Sequence, residues 1–359
     1  MLIGSIVGWE VGQDDLFNPQ SPRNRDDCLE PFRVLKAQAL ACGIELHTLD
    51  VIHSQGKEPD FNLYIESIPL ITQGQGKNYL IRFETELTVQ ANADAVYLQQ
   101  FDGIFTWDKN LLEANPQSLI GLGLAKAKLH AMTIPNPLPA EFSPHQVVNL
   151  GFSARPQFCI LIASNRHANC RDERELYSER VKAIRWFETN APSDFVLYGH
   201  GWKVPQKRFG MLGKMRYRLA KVPPFLMGKA VFPSYGGPVN SKFTALSQAR
   251  FSICFENARD IRGYLTEKIF DCLFAGCVPI YWGDPEVEKV IPKNCFIDFR
   301  QFQSYGALYS FLKDLSAEDY QAYQIAGQQF LASPQFQGFS SAAFAQKIIA
   351  SIQHDFALT

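Results

Sequence analysis

Short apolar runs recur along the chain, each followed by a polar break or by a segment with helical spacing. LIGSIVG (2–8), IELHTL (44–49), FNLYIE (61–66), NYLIRFE (78–84) and FDGIFTW (101–107) are rich in β-branched and aromatic residues, which predicts strands. CLEPFRVLKAQALACG (28–43) has helical spacing and ends on Gly43, a residue suited to close a helix. Runs that are apolar on both faces, with helices between them, predict a parallel α/β sheet.

The same alternation returns in the second half. FCILIASN (158–165), FVLYGHGW (195–202), FSICFEN (251–257), CVPIYWG (277–283) and CFIDF (295–299) predict strands, with helices over about 172–189 and from about 264, and a largely helical tail over 306–355. Between the two halves lies MTIPNPLPAEFSP, with Pro135, Pro137, Pro139 and Pro144. Proline fixes φ and removes a donor, so this segment predicts an extended connector. The expected organisation is an N-terminal α/β domain over 1–150 that includes the proline-rich linker (about 133–150), a C-terminal α/β domain over 151–340, and a helical tail over 341–359.

Composition narrows the function classes. A chain of 359 residues suits two domains, and 46% hydrophobic with 20% charged residues is ordinary for a globular protein. The net charge of −1 gives no general pull toward nucleic acid. None of the eight cysteines forms a CxxC pair and several lie in apolar runs, which predicts reduced, buried thiols. MLIGSIVGWEVGQDD lacks a basic leader and predicts a first strand; no apolar run approaches the ~18 residues of a membrane span. A cytoplasmic protein is expected. From Lys203 to Tyr235 there are eight basic residues and no acidic one. That stretch reads as a solvated insertion or as a contact for an anionic glycan or the inner membrane surface.

Three strand ends carry candidate chemistry. FSICF stops at Glu256-Asn257, and a helix restarts at Thr266-Glu267-Lys268. Ligands of open α/β sheets bind beyond such ends, and a lysine in a first turn suits a bound phosphate more than the helix itself. The alternative is a surface loop with an adjacent charge pair. FCILIA stops at Ser164-Asn165 with Arg171 close behind, where a guanidinium could grip a diphosphate or pair with Asp172 or Glu175. NYLIRF runs into Glu84 with Glu86 two residues on, so both carboxylates could share a face as a general base or form a charged strand edge.

FSICFEN, GYLTEKIFD and CVPIYWG, in that order and spacing, resemble family 10 of the glycosyltransferases, the α-1,3/1,4-fucosyltransferases, of bacterial type. ASN with its downstream arginine, SKFTALSQARFSICFEN, FDGIFTW and FETEL agree. The strong likeness covers roughly 155–302, with a weaker match over 78–112. The resemblance implies a GT-B fold, two Rossmann-like α/β domains facing an interdomain cleft, with GDP-fucose on the C-terminal one. It implies inverting transfer of L-fucose to a glycan hydroxyl without a metal or other cofactor, and the chain has no Asp-x-Asp. By matching positions, Arg171 and Lys268 would contact the diphosphate, and Glu267 ribose or fucose. Tyr264, Asn257, Glu256 and Lys242 would line the donor pocket with Ser164 and Asn165. The base would be Glu84, although the family's Glu-Ser-Pro is here Glu84-Thr85-Glu86, which leaves Glu86 as the other candidate. The rival readings are a GT-B transferase for another nucleotide sugar and a non-catalytic glycan binder on this scaffold. A dehydrogenase is excluded by the lack of G-x-G-x-x-G after any strand.

Overall fold

The computed structural model describes residues 1–9, 12–66, 76–121, 123–125, 128–142, 151–207, 209–211, 213–215, 217–219 and 230–357. The end of the proline-rich segment and much of the basic stretch lie outside the described residues. The chain forms two compact units. The first comprises Met1–Leu138, Arg262–Tyr264 and Pro334–Thr359; the second comprises Pro139–Ile261 and Leu265–Ser333.

In the first unit, β1 (Leu2–Gly8), β2 (Ile44–Thr48), β3 (Phe61–Ile65), β4 (Lys77–Arg82), β5 (Gly103–Thr106) and β6 (Leu129–Ala131) form a parallel sheet in the order β2-β1-β3-β4-β5-β6. Every side chain of β3 and β5 is buried, the signature of strands covered on both faces. The helix Glu30–Ala41 carries Pro31 in its first turn and is followed by Gly43 at φ 75°, as its spacing predicts. The C-terminal helix Ser341–Asp355 packs against it: Phe344 meets Phe32 edge-on at 6.2 Å, and Asp355 accepts from the Tyr79 hydroxyl at 2.7 Å. The last helix therefore completes the core of the first unit.

In the second unit, β7 (Gln157–Ile162), β8 (Phe195–Tyr198), β9 (Tyr235–Gly237), β10 (Ala249–Ile253), β11 (Val278–Tyr281) and β12 (Ile297–Asp298) pair in the order β12-β11-β10-β7-β8-β9, again all parallel. Counted from β7, this is the Rossmann order 3-2-1-4-5-6, whereas the first unit has the flavodoxin-type order. The core gathers Cys159, Leu161, Phe251, Ile253, Val278 and Ile280 from the strands with Ile184 and Phe187 from the helix Tyr177–Asn190. Arg155 is fully buried and donates to the carbonyls of Leu246, Ala249 and Ala275, capping a strand end and two helix ends.

Two helices start later than their spacing predicts. Residues 172–176 are drawn into pairing with the loop after β10: Leu176 N–H donates to the Asn257 carbonyl at 3.0 Å, and Glu175 bridges Ala258. Helix begins only at Tyr177. The helix expected from 264 begins at Glu267, because Gly263 has φ 88° and Thr266 is extended. β6 and β9 escape the pattern, since LHA and YGG are short edge segments without an apolar run. No disulfide links the eight cysteines, and no helix among the described residues is long and apolar enough to cross a membrane.

Candidate active site

In the second unit the strand order reverses between β7 and β10, and the crevice of a doubly wound sheet opens beyond the carboxyl ends of such a pair. β7 ends into Ser164-Asn165 and β10 into Glu256-Asn257, so topology brings two of the predicted motifs to one switch point. Glu256 is fully buried. Its Oε1 accepts from the Thr266 N–H at 2.9 Å, and its Oε2 accepts from the Thr266 hydroxyl at 2.6 Å and the Lys268 ammonium at 3.2 Å. Lys268 also donates to Thr266 Oγ1 at 2.9 Å. Burial raises the Glu256 pKa, and Lys268 and Thr266 pull against it. The lysine that is unhelpful to its own helix is thus anchored from below by a buried acid, with 19% of its side chain exposed.

Glu267 opens the helix Glu267–Phe274, a place where negative charge is favourable. Burial works to raise its pKa, but the Lys268 and Lys242 ammoniums outweigh this and bring it to about 2. Its side chain is 45% exposed. At that exposure the two cations prevail over burial, and the group is an ionised acceptor. Lys242 donates to Asp271 at 2.8 Å. Burial lifts Asp271 to about 6 against the pull of Lys242.

Asn257 accepts from the buried Arg180 guanidinium at 3.0 Å, and Arg259 N–H donates to the Arg174 carbonyl at 2.8 Å. The loop after β10 and the segment holding Arg171 are therefore stitched together. Arg171 itself is exposed and stands outside the bonded group around Lys268. Asp172, one candidate partner for Arg171, is instead held bidentately by Arg174 at 3.0 and 2.8 Å. Asn165 donates to the carbonyls of Gly201 and Val204, and its buried Oδ1 has no partner among the described residues.

The first unit carries the carboxylates. Glu84 follows β4, and its Oε2 accepts from the Tyr264 hydroxyl at 2.7 Å. The Tyr264 ring rests on Trp107 at 4.8 Å, and the Trp107 N–H donates to the Phe83 carbonyl at 2.9 Å. The family resemblance points Tyr264 to the donor pocket, whereas its hydroxyl here donates to the candidate base. Glu86 lies 3.7 Å from Arg82, whose guanidinium also reaches Asp108 at 3.1 Å. The two acids of FETEL thus have different partners, a phenol for Glu84 and a buried guanidinium for Glu86.

Sequence reasoning missed Glu66, which follows β3 and is 7% exposed. Its Oε1 accepts from the Phe83 and Glu84 N–H groups, and its Oε2 from Asn92 at 2.9 Å. Asn92 also donates to the Glu84 carbonyl at 2.8 Å. Burial is the largest influence on Glu66 and raises its pKa to about 7; the Glu84 charge adds to this and the donors oppose it. The signal was present, since FNLYIE ends on an acid as NYLIRFE does. Among the described residues, no group of three or more His, Cys, Asp or Glu is arranged to hold a metal ion.

Comparison with solved structures places this fold. An α1,3-fucosyltransferase superposes over 98% of this chain and 90% of its own with a TM-score of 0.52 at 15% identity. WaaG, a glycosyltransferase involved in lipopolysaccharide biosynthesis, superposes over 97% and 98% with a TM-score of 0.55 at 9% identity. The two parallel doubly wound sheets define the GT-B class of glycosyltransferase folds. Residues 201–327 match the profile described as glycosyltransferase family 10 (fucosyltransferase), C-terminal. The Helicobacter pylori alpha-(1,3)-fucosyltransferase FucT is 36% identical over 97 residues, 27% of this chain and 20% of that protein. The mouse 4-galactosyl-N-acetylglucosaminide 3-alpha-L-fucosyltransferase 9 is 33% identical over 86 residues, 23% of this chain and 24% of that protein. The matched region spans about a fifth to a quarter of these relatives' lengths. Over the matched region the chain is similar to glycosyltransferase family 10.

Proposed function

We propose that this protein is an inverting fucosyltransferase that moves L-fucose from GDP-β-L-fucose to a hydroxyl of an acceptor glycan, forming an α-1,3 bond to a GlcNAc-type sugar. The observation that carries the reading is the ammonium of Lys268, braced by buried Glu256 and Thr266 at the switch point of a Rossmann-order sheet. The names of the relatives, which are fucosyltransferases, support the donor class.

In this reading the bond between fucose C1 and the diphosphate oxygen breaks through a transition state with oxocarbenium character. Lys268 and Arg171 take up the negative charge that grows on the departing GDP, which is the work a metal ion does elsewhere. Glu267, ionised, accepts from ribose or fucose hydroxyls. Asn257, Ser164, Asn165 and Lys242 shape the donor pocket, and Glu256 acts through Lys268. The acceptor oxygen bonds to C1 from the opposite face and its proton passes to Glu84. Tyr264, bound to Glu84, steadies that carboxylate from the donor-binding segment of the sequence. No bound cofactor enters the scheme.

The test is release of GDP and transfer of fucose across an acceptor array, with EDTA present. GDP should stabilise the protein against heat more than UDP does. Stronger stabilisation by UDP would replace the donor, and GDP binding without transfer or hydrolysis would favour a glycan-binding role.

A peripheral contact with the anionic inner membrane surface fits the basic stretch. Phe209, Met211, Met215 and Leu219 are exposed beside Lys207, Lys214 and Arg218. Sedimentation with phosphatidylglycerol vesicles, lost in K214E/R218E, would support it; equal recovery with neutral vesicles would overturn it.

A further inference from the structure

The first unit has a switch point of its own, between β1 and β3, where the order β2-β1-β3 reverses. β3 leads there to Glu66 and β1 to Trp9. At Gly8 a Cβ would lie 2.8 Å from Ile65, so the strands run too close for a side chain. Trp9 is the first side chain that β1 presents beyond the sheet.

Trp9 is 42% exposed and has φ 51°. A left-handed backbone strains a non-glycine residue, and exposure wastes the largest apolar side chain. Neither choice serves the core. Yet the ring is held: Phe32 meets it edge-on at 5.4 Å, and Phe83 lies tilted beside it at 6.1 Å. Phe83 in turn packs on Phe32 and on Phe344 of the C-terminal helix. Arg23 donates to the Trp9 carbonyl at 3.0 Å, which fixes the turn. Phe83 is also the residue before Glu84, so the aromatic cluster and the candidate base share one strand end.

We propose that Trp9 is the stacking platform for a pyranose ring of the acceptor glycan. This rests on the transferase reading for its catalytic consequence, though not for the binding itself. A β-linked gluco- or galacto-type pyranose has one face of C–H groups and a rim of hydroxyls. The C–H face matches the electron-rich indole, with contacts that are individually weak and add over the ring. The hydroxyl rim remains for polar groups at the strand ends, Glu84 among them. A flat, pre-held indole recognises the ring and not a linkage, so the proposal concerns sugar class.

Two measurements test it. First, tryptophan emission is followed while the donor-free protein is titrated with N-acetyllactosamine, lactose, chitobiose and cellobiose. At least one should change the emission of the wild type, and W9F should abolish that change. If no sugar of the four acts, or if W9F keeps the full response, the proposal is overturned. Second, W9A should raise KM for N-acetyllactosamine about tenfold or more with a much smaller change in kcat, and W9F should recover most of the loss. Unchanged KM in W9A, with the thermal midpoint and GDP affinity of the wild type, also overturns it. A wild type that binds sugar through Trp9 but transfers to no acceptor would keep the platform and remove the transferase reading.

Discussion

The hydroxyl of Tyr264 lies 2.7 Å from Glu84 Oε2, although 180 residues separate them in the chain. Tyr264 belongs to the three-residue segment Arg262–Tyr264 that is part of the first unit, between stretches that belong to the second. Arg262 extends the attachment, with its carbonyl accepting from Lys109 N–H at 3.1 Å and its guanidinium reaching Glu113 at 2.7 Å. A residue from the region matched by the family profile thus holds the acid proposed as base.

Glu84→Gln should abolish transfer, by about 10²–10⁴ in rate, while GDP binds as before. Glu86→Gln should act mainly on stability, because Glu86 pairs with buried Arg82. Parallel assays of the two variants decide the assignment. Normal transfer by Glu84→Gln with loss in Glu86→Gln would reverse it.

Lys268→Ala should lower transfer by about 10²–10³, the size found when one electrostatic stabiliser is removed, and weaken GDP binding. Arg171→Ala should act similarly. Calorimetric titration with GDP is the check, and an affinity equal to wild type would take Lys268 off the diphosphate. The variant also leaves Glu256 buried without its ammonium, so Glu256→Gln/Lys268→Ala should be more stable than Lys268→Ala alone.

Gly263→Ala should lower both the thermal midpoint and transfer. Its φ is 88°, and an added Cβ would sit 2.3 Å from the Trp107 carbonyl oxygen. Relief of that clash must move Tyr264, the next residue. A variant with wild-type kcat and midpoint would show that this turn does not position the Tyr264 hydroxyl.

Glu66 makes stability depend on pH. Unfolded, it ionises near its ordinary value of 4.5; folded, at about 7. Between those values the unfolded chain binds fewer protons, so stability falls as pH rises, by about 3 kcal/mol for this group, and levels off above pH 7. Urea unfolding of wild type and Glu66→Gln at pH 5 and pH 8 checks the sign. The difference between the two proteins should shift in favour of Glu66→Gln at the higher pH; an equal difference at both would remove Glu66 as a titrating group.

The alternation of strands and helices was legible in the chain because strands buried on both faces must be apolar throughout, as FNLYI and VPIY are. Residues at strand ends were legible too, since a carboxylate or amide interrupting such a run marks where the sheet meets solvent or ligand. That logic reached Glu84, Glu256, Asn257 and Asn165, and it applied equally to Glu66. Local pattern carried it.

Tertiary structure alone decided which strands are neighbours. β10 pairs with β7 across about ninety intervening residues, and only that pairing puts Asn165 and Glu256 at one switch point. It also decided what each charge meets. Lys268 is braced by an acid twelve residues earlier, and Glu66 grips the backbone N–H of Phe83, seventeen residues later and just past the end of β4. Such pairings depend on burial and on distances across the sheet, which the order of residues does not contain. Trp9 makes the same point: in sequence it is one more aromatic after a strand, and only packing on Phe32 and Phe83 leaves its ring held in place and open to a ligand.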